Sequence, residues 1–413
     1  MKRRNFLKTT VAAPLLMGLN IADGAESMLP RFAVISDIHF SGGNNGCVQK
    51  VSRTLKNFIA KGNLDAIFVV GDLTNNGQAA QYRQLVSVFG DKDVVPESQR
   101  VVYMMGNHEY YNKENNGDST KNYTDFCKQP LHQFIDVKGF PFITVSINGG
   151  GENSYNADSQ KFLSDKLAEA AAKYPDKPIF CFAHIPPRNT CYGSKSWGTA
   201  NFYPFLHEYP QTVFFSGHTH TPIGDPRMIW QDTFTSINDG SVAYACLEQN
   251  EVDAGKGGYL PGNEQPGNVQ EGFIVNVKSS EVFEIERWDA VRNEEILPRW
   301  NVNWKNKNYA KRDGKPAPKF AVDAKPTVVA DGTSYTVSFP QATDNENVFR
   351  YLVELKDGDK TVASYRKFSV FYLNSETPKT LSVKFEKLPE GKELTASVTA
   401  LDSFDNRSES IES

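Results

Sequence analysis

Five short apolar runs in this chain stop at polar clusters of related chemistry. Phe32 to Ser36 leads into Asp37-Ile38-His39, Ala66 to Val70 into Gly71-Asp72, and Val101 to Met105 into Gly106-Asn107-His108-Glu109. Ile179 to Ala183 leads into His184, and Val213 to Ser216 into Gly217-His218-Thr219-His220. Runs of this length and composition predict buried strands, as does a sixth, Phe142 to Ile147. Between them Val48, Val51, Leu55, Phe58 and Ile59 recur at three and four residue intervals, as do Phe162, Leu163, Leu167 and Ala171. Those spacings predict helices with one apolar face, and strands alternating with helices predict an α/β layer. Ligands of open α/β sheets sit beyond the carboxyl ends of the strands, so the five clusters are expected to meet in one crevice. Five of the seven histidines, His39, His108, His184, His218 and His220, fall in this set. His132 and His207 match no motif and read as ordinary helix or surface histidines.

The gathered groups are carboxylates, an amide oxygen and imidazoles, with no thiolate. That set suits divalent Mn, Fe, Zn or Ni rather than a thiolate-rich structural zinc site. Seven candidate ligands, Asp37, His39, Asp72, Asn107, His184, His218 and His220, exceed the needs of one ion. Two ions ~3.5 to 4 Å apart would use them all and form a clamp for a phosphoester.

The order D-x-H, G-D, G-N-H-E, H, G-H-x-H over residues 31 to 220 resembles that of calcineurin-like metallophosphoesterases. The resemblance implies a four-layer α/β/β/α sandwich and a binuclear phosphoesterase working by in-line attack of a metal-bridging hydroxide. It implies Asp37, His39 and His220 on one metal, Asn107, His184 and His218 on the other, and Asp72 on both. His108 matches the family position that contacts substrate and protonates the leaving oxygen, with Glu109 behind the ligands. Gly71 and Gly106 are expected to let the backbone turn sharply beneath the ions. After Asp72, Leu73-Thr74-Asn75-Asn76-Gly77 and Tyr82 resemble the subgroup of cyclic-nucleotide and glycerophosphodiester phosphodiesterases. Purple acid phosphatases place a ligating Tyr where Asn75 stands. A small-molecule phosphodiester is therefore the expected substrate; a phosphomonoester of a nucleotide, sugar or phosphoprotein is the alternative, and a non-catalytic surface binding protein a third reading. The loop Arg188 to Gly198, with Arg188, Tyr192, Lys195 and Trp197, offers cations for phosphate and rings for a base or sugar.

The remainder of the 413 residues suggests a second unit. Thr233 to Ile237, Val242 to Leu247, Phe273 to Val277 and Val282 to Ile285 read as strands of a second, antiparallel sheet, with a Gly/Pro/Asn-rich loop from Gly255 to Gly267. The enzyme domain is placed at 31–300 and a basic, Asn- and Pro-rich linker at 301–325. Residues 326–413 alternate strands and turns and resemble a fibronectin type III β-sandwich, expected to bind protein or glycan or to pack on the catalytic domain. Net charge of -4 carries no footprint for nucleic acid. Five irregularly spaced cysteines make no disulfide framework. Lys2, Arg3 and Arg4 precede an apolar run ending among small residues at 22–25, so 1–25 reads as a twin-arginine-like export signal to the periplasm or cell surface of a bacterium. No later apolar stretch approaches the ~20 residues of a transmembrane helix.

Overall fold

The computed structural model describes residues 28–43, 45–111, 114–115, 118–148, 155–248, 250–253 and 269–413. The proposed export signal and the whole of the Gly255 to Gly267 loop lie outside the described residues.

The first half alternates strands and helices. It runs β1 (Arg31–Ile35), α1 (Asn45–Ile59), β2 (Ala66–Val70), α2 (Ala79–Phe89), β3 (Val101–Met104), α3 (Ser119–Cys127), β4 (His132–Val137), β5 (Phe140–Val145), α4 (Ala157–Lys173), β6 (Ile179–Ala183), α5 (Ser194–Trp197) and β7 (Thr212–Ser216). Then come β8 (Ile229–Gln231), β9 (Thr235–Asn238), β10 (Glu271–Val277), β11 (Val282–Asp289) and β12 (Glu294–Asn303). These strands form two sheets rather than one layer plus an antiparallel companion. One has the order β12-β11-β10-β1-β2-β3, the other β4-β5-β6-β7-β9-β8. The expected second sheet does not exist as a separate unit, because β10 pairs antiparallel with β1 and β9 pairs parallel with β7. Val242 to Leu247, expected as a strand, is a loop.

Period-2 alternation explains the layering. In β1 and β2, Phe32, Val34, Ala66, Phe68 and Val70 point into the space between the sheets, while Ala33, Ile35, Ile67 and Val69 face the outer helices. The other sheet does the same, Phe180, Phe182, Val213 and Phe215 inward and Ile179, Cys181 and Phe214 outward. Val51, Leu55 and Phe58 of α1 cover the first sheet, and Leu163, Leu167 and Ala170 of α4 the second, giving the layers α/β/β/α. Between the sheets Phe68 stacks on Phe182 at 4.2 Å between centroids and Phe32 stands edge-on to Phe142 at 5.1 Å. Such pairs each contribute about 0.5 to 1.5 kcal/mol beyond area burial. His132 is a strand residue in β4, its ring beside Ser159 and Phe162 of α4, not a helix or surface residue. All five cysteines are free thiols.

An all-β sandwich follows. It comprises β13 (Thr327–Asp331), β14 (Ser334–Pro340), β15 (Val348–Asp357), β16 (Lys360–Phe368), β17 (Thr380–Phe385), β18 (Thr395–Asp402) and β19 (Ile411–Glu412). Its sheets have the orders β13-β14-β17 and β16-β15-β18-β19. The stretch read as a linker begins inside β12, and Trp304, just beyond that strand, is buried. Among the described residues no helix is long and apolar enough to cross a membrane.

Candidate metal centre

The carboxyl ends of β1, β2, β3, β6 and β7 lie together because these strands run parallel within their sheets. Their exit loops are tied to one another: Asp37 N–H donates to the Gly71 carbonyl (3.1 Å), His39 N–H to Asp72 (3.1 Å) and Gly217 N–H to His184 (3.0 Å). The sheets are joined where His218 N–H donates to Asp37 Oδ2 at 2.9 Å. Asp37, His39, Asp72, His218 and His220 all have φ between 47° and 73°, the left-handed region that non-glycine residues seldom occupy. Strain shared by five residues of one site is held by surrounding structure and marks function.

The motif glycines explain themselves by space. Gly71, at φ 85°, turns the chain beneath the site as expected, and a Cβ there would lie 2.5 Å from the His184 ring. Gly106 has an ordinary φ; it is required because a Cβ would lie 2.2 Å from Asp72 Oδ1. Gly217 likewise leaves room for Ser36 Oγ, which a Cβ would approach to 2.2 Å.

Six of the candidate ligands and Asn107 converge in two overlapping groups. Asp37, His39, Asp72 and His220 form one, and Asp72, His184 and His218 the other, each with ligand atoms within 4.8 Å of one another and every residue buried. Asn107 Oδ1 lies 3.1 Å from His184 Nε2, joining the second group. His220 Nε2 stands 3.0 Å from Asp37 Oδ1, and His184 Nε2 3.2 Å from Asp72 Oδ2. Each carboxylate presents one oxygen to the protein and one to the centre. Asp37 Oδ2 accepts from Ser36 Oγ (2.5 Å) and the His218 amide, and Asp72 Oδ1 from the His108 amide (3.0 Å). Asp37 Oδ1 is buried with no hydrogen-bond partner.

Backbone carbonyls orient the imidazoles. His184 Nδ1 donates to Val70 O (2.8 Å) and His220 Nδ1 to Tyr244 O (3.1 Å), leaving both Nε2 lone pairs directed at the centre. His39 Nε2 and His220 Nε2 face each other at 3.4 Å. Burial pushes His39 and His218 down to about 3, so both are neutral donors. Burial also opposes a charge on His184, yet Asp72 and Asp37 raise it to about 10. A proton there is the counter-charge two buried carboxylates demand, the part a divalent cation takes. The partnerless oxygen, the converging imidazole nitrogens and the thiolate-free donors all fit divalent metal.

Glu109 links two of the loops. Its Oε1 accepts from the Thr74 amide (2.9 Å) and hydroxyl (2.8 Å), and its Oε2 from the Gly106 amide (2.7 Å). Burial and then the charge of Asp72 raise it to about 7. His108 stands at the edge, 26% exposed, its Nε2 3.8 Å from Asp72 Oδ2 and its Nδ1 donating to the Asn75 carbonyl (2.9 Å). That bond turns Nε2 toward the cavity. Asn75 thus contributes its backbone where a tyrosine ligand was not expected.

A cavity of about 570 Å³ opens over these groups, lined by His108, Tyr111, Arg188, Trp197, Thr199 and Tyr244 among others. Of the four residues expected to meet substrate, Arg188 and Trp197 line it; Tyr192 and Lys195 do not. Tyr192 is buried beneath its loop, its ring 3.8 Å from the Arg227 guanidinium, because an apolar ring between polar neighbours gains more inside than at the rim. Lys195 is exposed on the outer face of α5. Sequence reasoning missed Tyr111, whose hydroxyl accepts from Asn107 Nδ2 (3.2 Å), and Tyr244, whose ring stacks on His220 at 4.0 Å. Tyr111 was discoverable, three residues beyond His108; Tyr244 lay in a segment misread as strand.

Residues 30–222 match the sequence profile of the calcineurin-like phosphoesterase family. Over that segment the chain is similar to calcineurin-like phosphoesterases. No curated protein sequence matches the chain. Among solved structures, a purple acid phosphatase from yellow lupin (Lupinus luteus) seeds aligns over 67% of this chain and 54% of its own, with 13% identity and a TM-score of 0.49. A structure of PhoD aligns over 69% of this chain and 72% of its own, with 10% identity and a TM-score of 0.42. The chain thus spans about half the length of the lupin enzyme, 54%.

Proposed function

We propose that this protein is an exported two-metal phosphodiesterase. The observation that carries the reading is the pair of buried ligand groups sharing Asp72. Asp37, His39 and His220 would hold one ion, Asn107, His184 and His218 the other, and Asp72 both. Bound there, divalent metals supply Lewis-acid activation of water and neutralise phosphoryl oxygens. His108, with its Nδ1–H fixed on the Asn75 carbonyl, would in its imidazolium form offer an Nε2 proton at the cavity edge to the departing alkoxide.

The lining favours a diester. Among the described lining residues Arg188 is the one permanent cation, whereas Tyr111, Trp197 and Tyr244 supply rings. A diester carries one negative charge and a second organic group; a monoester dianion asks for more cations and no second pocket. Export rests on Arg3, Arg4 and the apolar run after them. The C-terminal unit reads as fibronectin type III-like, supported by its three- and four-stranded sheets.

Elemental analysis of protein reconstituted with excess Mn, Fe, Zn or Ni should find close to two ions per chain. One ion or none would remove the two-metal reading. Rates on bis-p-nitrophenyl phosphate and p-nitrophenyl phosphate then decide the ester class, faster monoester turnover overturning the diester assignment.

A further inference from the structure

The loop that walls the cavity is closed at its base, where the Arg188 amide donates to the Thr199 carbonyl (2.9 Å) and Arg188 Nε to the Gly198 carbonyl (3.1 Å), but its middle is held from outside. Arg188 and Trp197 sit at either end of residues 188–198, and the middle of the loop is anchored through Tyr192. The Tyr192 amide donates to the Arg227 carbonyl (3.0 Å), and its hydroxyl accepts from the Glu248 amide (3.0 Å). Its ring lies against the Arg227 guanidinium, which is also 4.5 Å from the ring centroid of Phe349 in β15. Phe349 is fully buried, and its ring meets Tyr192 edge-on at 6.1 Å. Arg227 is held flat by a two-point pair with Asp225, Nε to Oδ1 at 3.0 Å and Nη2 to Oδ2 at 2.7 Å. A guanidinium packed against two rings that themselves meet edge-on, one from each unit, is a planar contact of a kind lysine cannot supply.

The same module grips the opposite wall. Tyr244 and Cys246 line the cavity, and the Cys246 amide donates to the His220 carbonyl (2.9 Å). A few residues on, Glu251 pairs with Arg350 of β15, and Asp253 receives the Arg366 amide and guanidinium from β16. Tyr365 of β16 donates its hydroxyl to the Asp253 carbonyl at 2.9 Å. Both walls are therefore referred to one surface, the β15–β16 face.

We infer that the C-terminal sandwich is a working part of the catalytic unit, and that Phe349, through Arg227 and Tyr192, is a positioning residue for substrate. It touches neither ester nor ligand. It sets where Arg188 and Trp197 stand over the centre. This rests on the cavity being the ester site.

The test uses the full, metal-loaded chain. Phe349→Ala should keep the metal content of the unmodified protein and lower kcat/KM on bis-p-nitrophenyl phosphate by about 10- to 10²-fold, through KM rather than kcat, the scale of a small misplacement. Amide hydrogen exchange should quicken across residues 188–199 while β6 stays protected. Arg227→Lys, which keeps the charge beside Asp225 but loses the planar face packed on both rings, should show the same pattern, and Phe349→Tyr, which keeps the ring, should not. Unchanged KM and exchange in Phe349→Ala overturn the inference, as does loss of metal from that variant. If Phe349→Ala fails to fold, Arg227→Lys decides by the same two readouts. Failure of the unmodified chain to hydrolyse the ester would instead refute the reading of the cavity itself.

Discussion

The metal end of the sandwich and the seam with the C-terminal module are both rich in buried charge, but they use it in opposite ways. At the seam, most charged groups have an opposite charge within the chain, Arg227 with Asp225, Arg350 with Glu251, Arg366 with Asp253, Arg292 with Asp289 and Glu376, although single atoms such as Arg292 Nε and Glu346 Oε2 are buried without a partner. At the metal end, Asp37 Oδ1 is buried without a hydrogen-bond partner, two imidazole Nε2 atoms face each other at 3.4 Å, and five ligand residues hold left-handed backbone. Charges matched by opposite charges make a joint. An incomplete set, held under strain, is a binding site.

The hardest blow to that contrast is Asp72→Ala. Removing the carboxylate common to both groups should cost both ions and all measurable turnover, checked by elemental analysis beside ester hydrolysis. Retention of two ions would show that Asp72 is an ordinary buried acid.

Gly106→Ala should come next. A methyl group 2.2 Å from Asp72 Oδ1 and 2.4 Å from the Asp72 amide must push that loop aside, so metal content and activity should fall together, although the chain remains folded by circular dichroism. Full metal occupancy in this variant would mean the centre is far less rigid than its packing implies.

His108→Ala separates chemistry from metal holding. Both ions should stay, while turnover of alkyl esters drops roughly 10²- to 10⁴-fold, the range of general acid catalysis. Activated aryl esters should lose much less, since p-nitrophenolate leaves without a proton. Equal losses on both would assign His108 to positioning or phosphoryl-oxygen stabilisation.

Glu271 probes the seam side. It is buried, its Oε2 accepts from the Ile223 amide at 2.8 Å, and burial raises it to about 8. Its folded pKa exceeds the unfolded one, so the folded state keeps a proton the unfolded state loses. Stability therefore declines as pH climbs from about 4.5 toward 8, at up to about 1.4 kcal/mol per pH unit. Glu271→Gln keeps the acceptor without the proton, so urea melts should show its advantage over the unmodified protein growing across that window. A constant difference would mean that Glu271 is ionised when folded.

Much of the site was legible before any coordinates. Asp37, Asp72, Asn107, His184, His218 and His220 are visible because each lies within four residues of a strand's end, and strand ends announce themselves through a run of apolar residues. Tyr192 was misjudged for the converse reason: nothing local distinguishes a ring that lines a cavity from one buried under it by a guanidinium 35 positions along the chain. Val242 to Leu247 alternates like a strand, yet is spent on hydrogen bonds at the site, the Val242 amide to Ser36 and the Cys246 amide to His220.

By itself, the order of residues determined the strands, the helical faces and the chemistry of the ligand set, since these depend on periodicity and on side chains a few positions apart. Tertiary structure alone decided how the strands were dealt. Phe32 and Phe180 each satisfy a strand pattern, but only packing places their rings 5.2 Å apart across two sheets, and only that packing brings Asp37 from one sheet against His218 from the other. Pairing partners are chosen by burial summed over the whole fold, and a local pattern, which says which face must be buried, does not say against what.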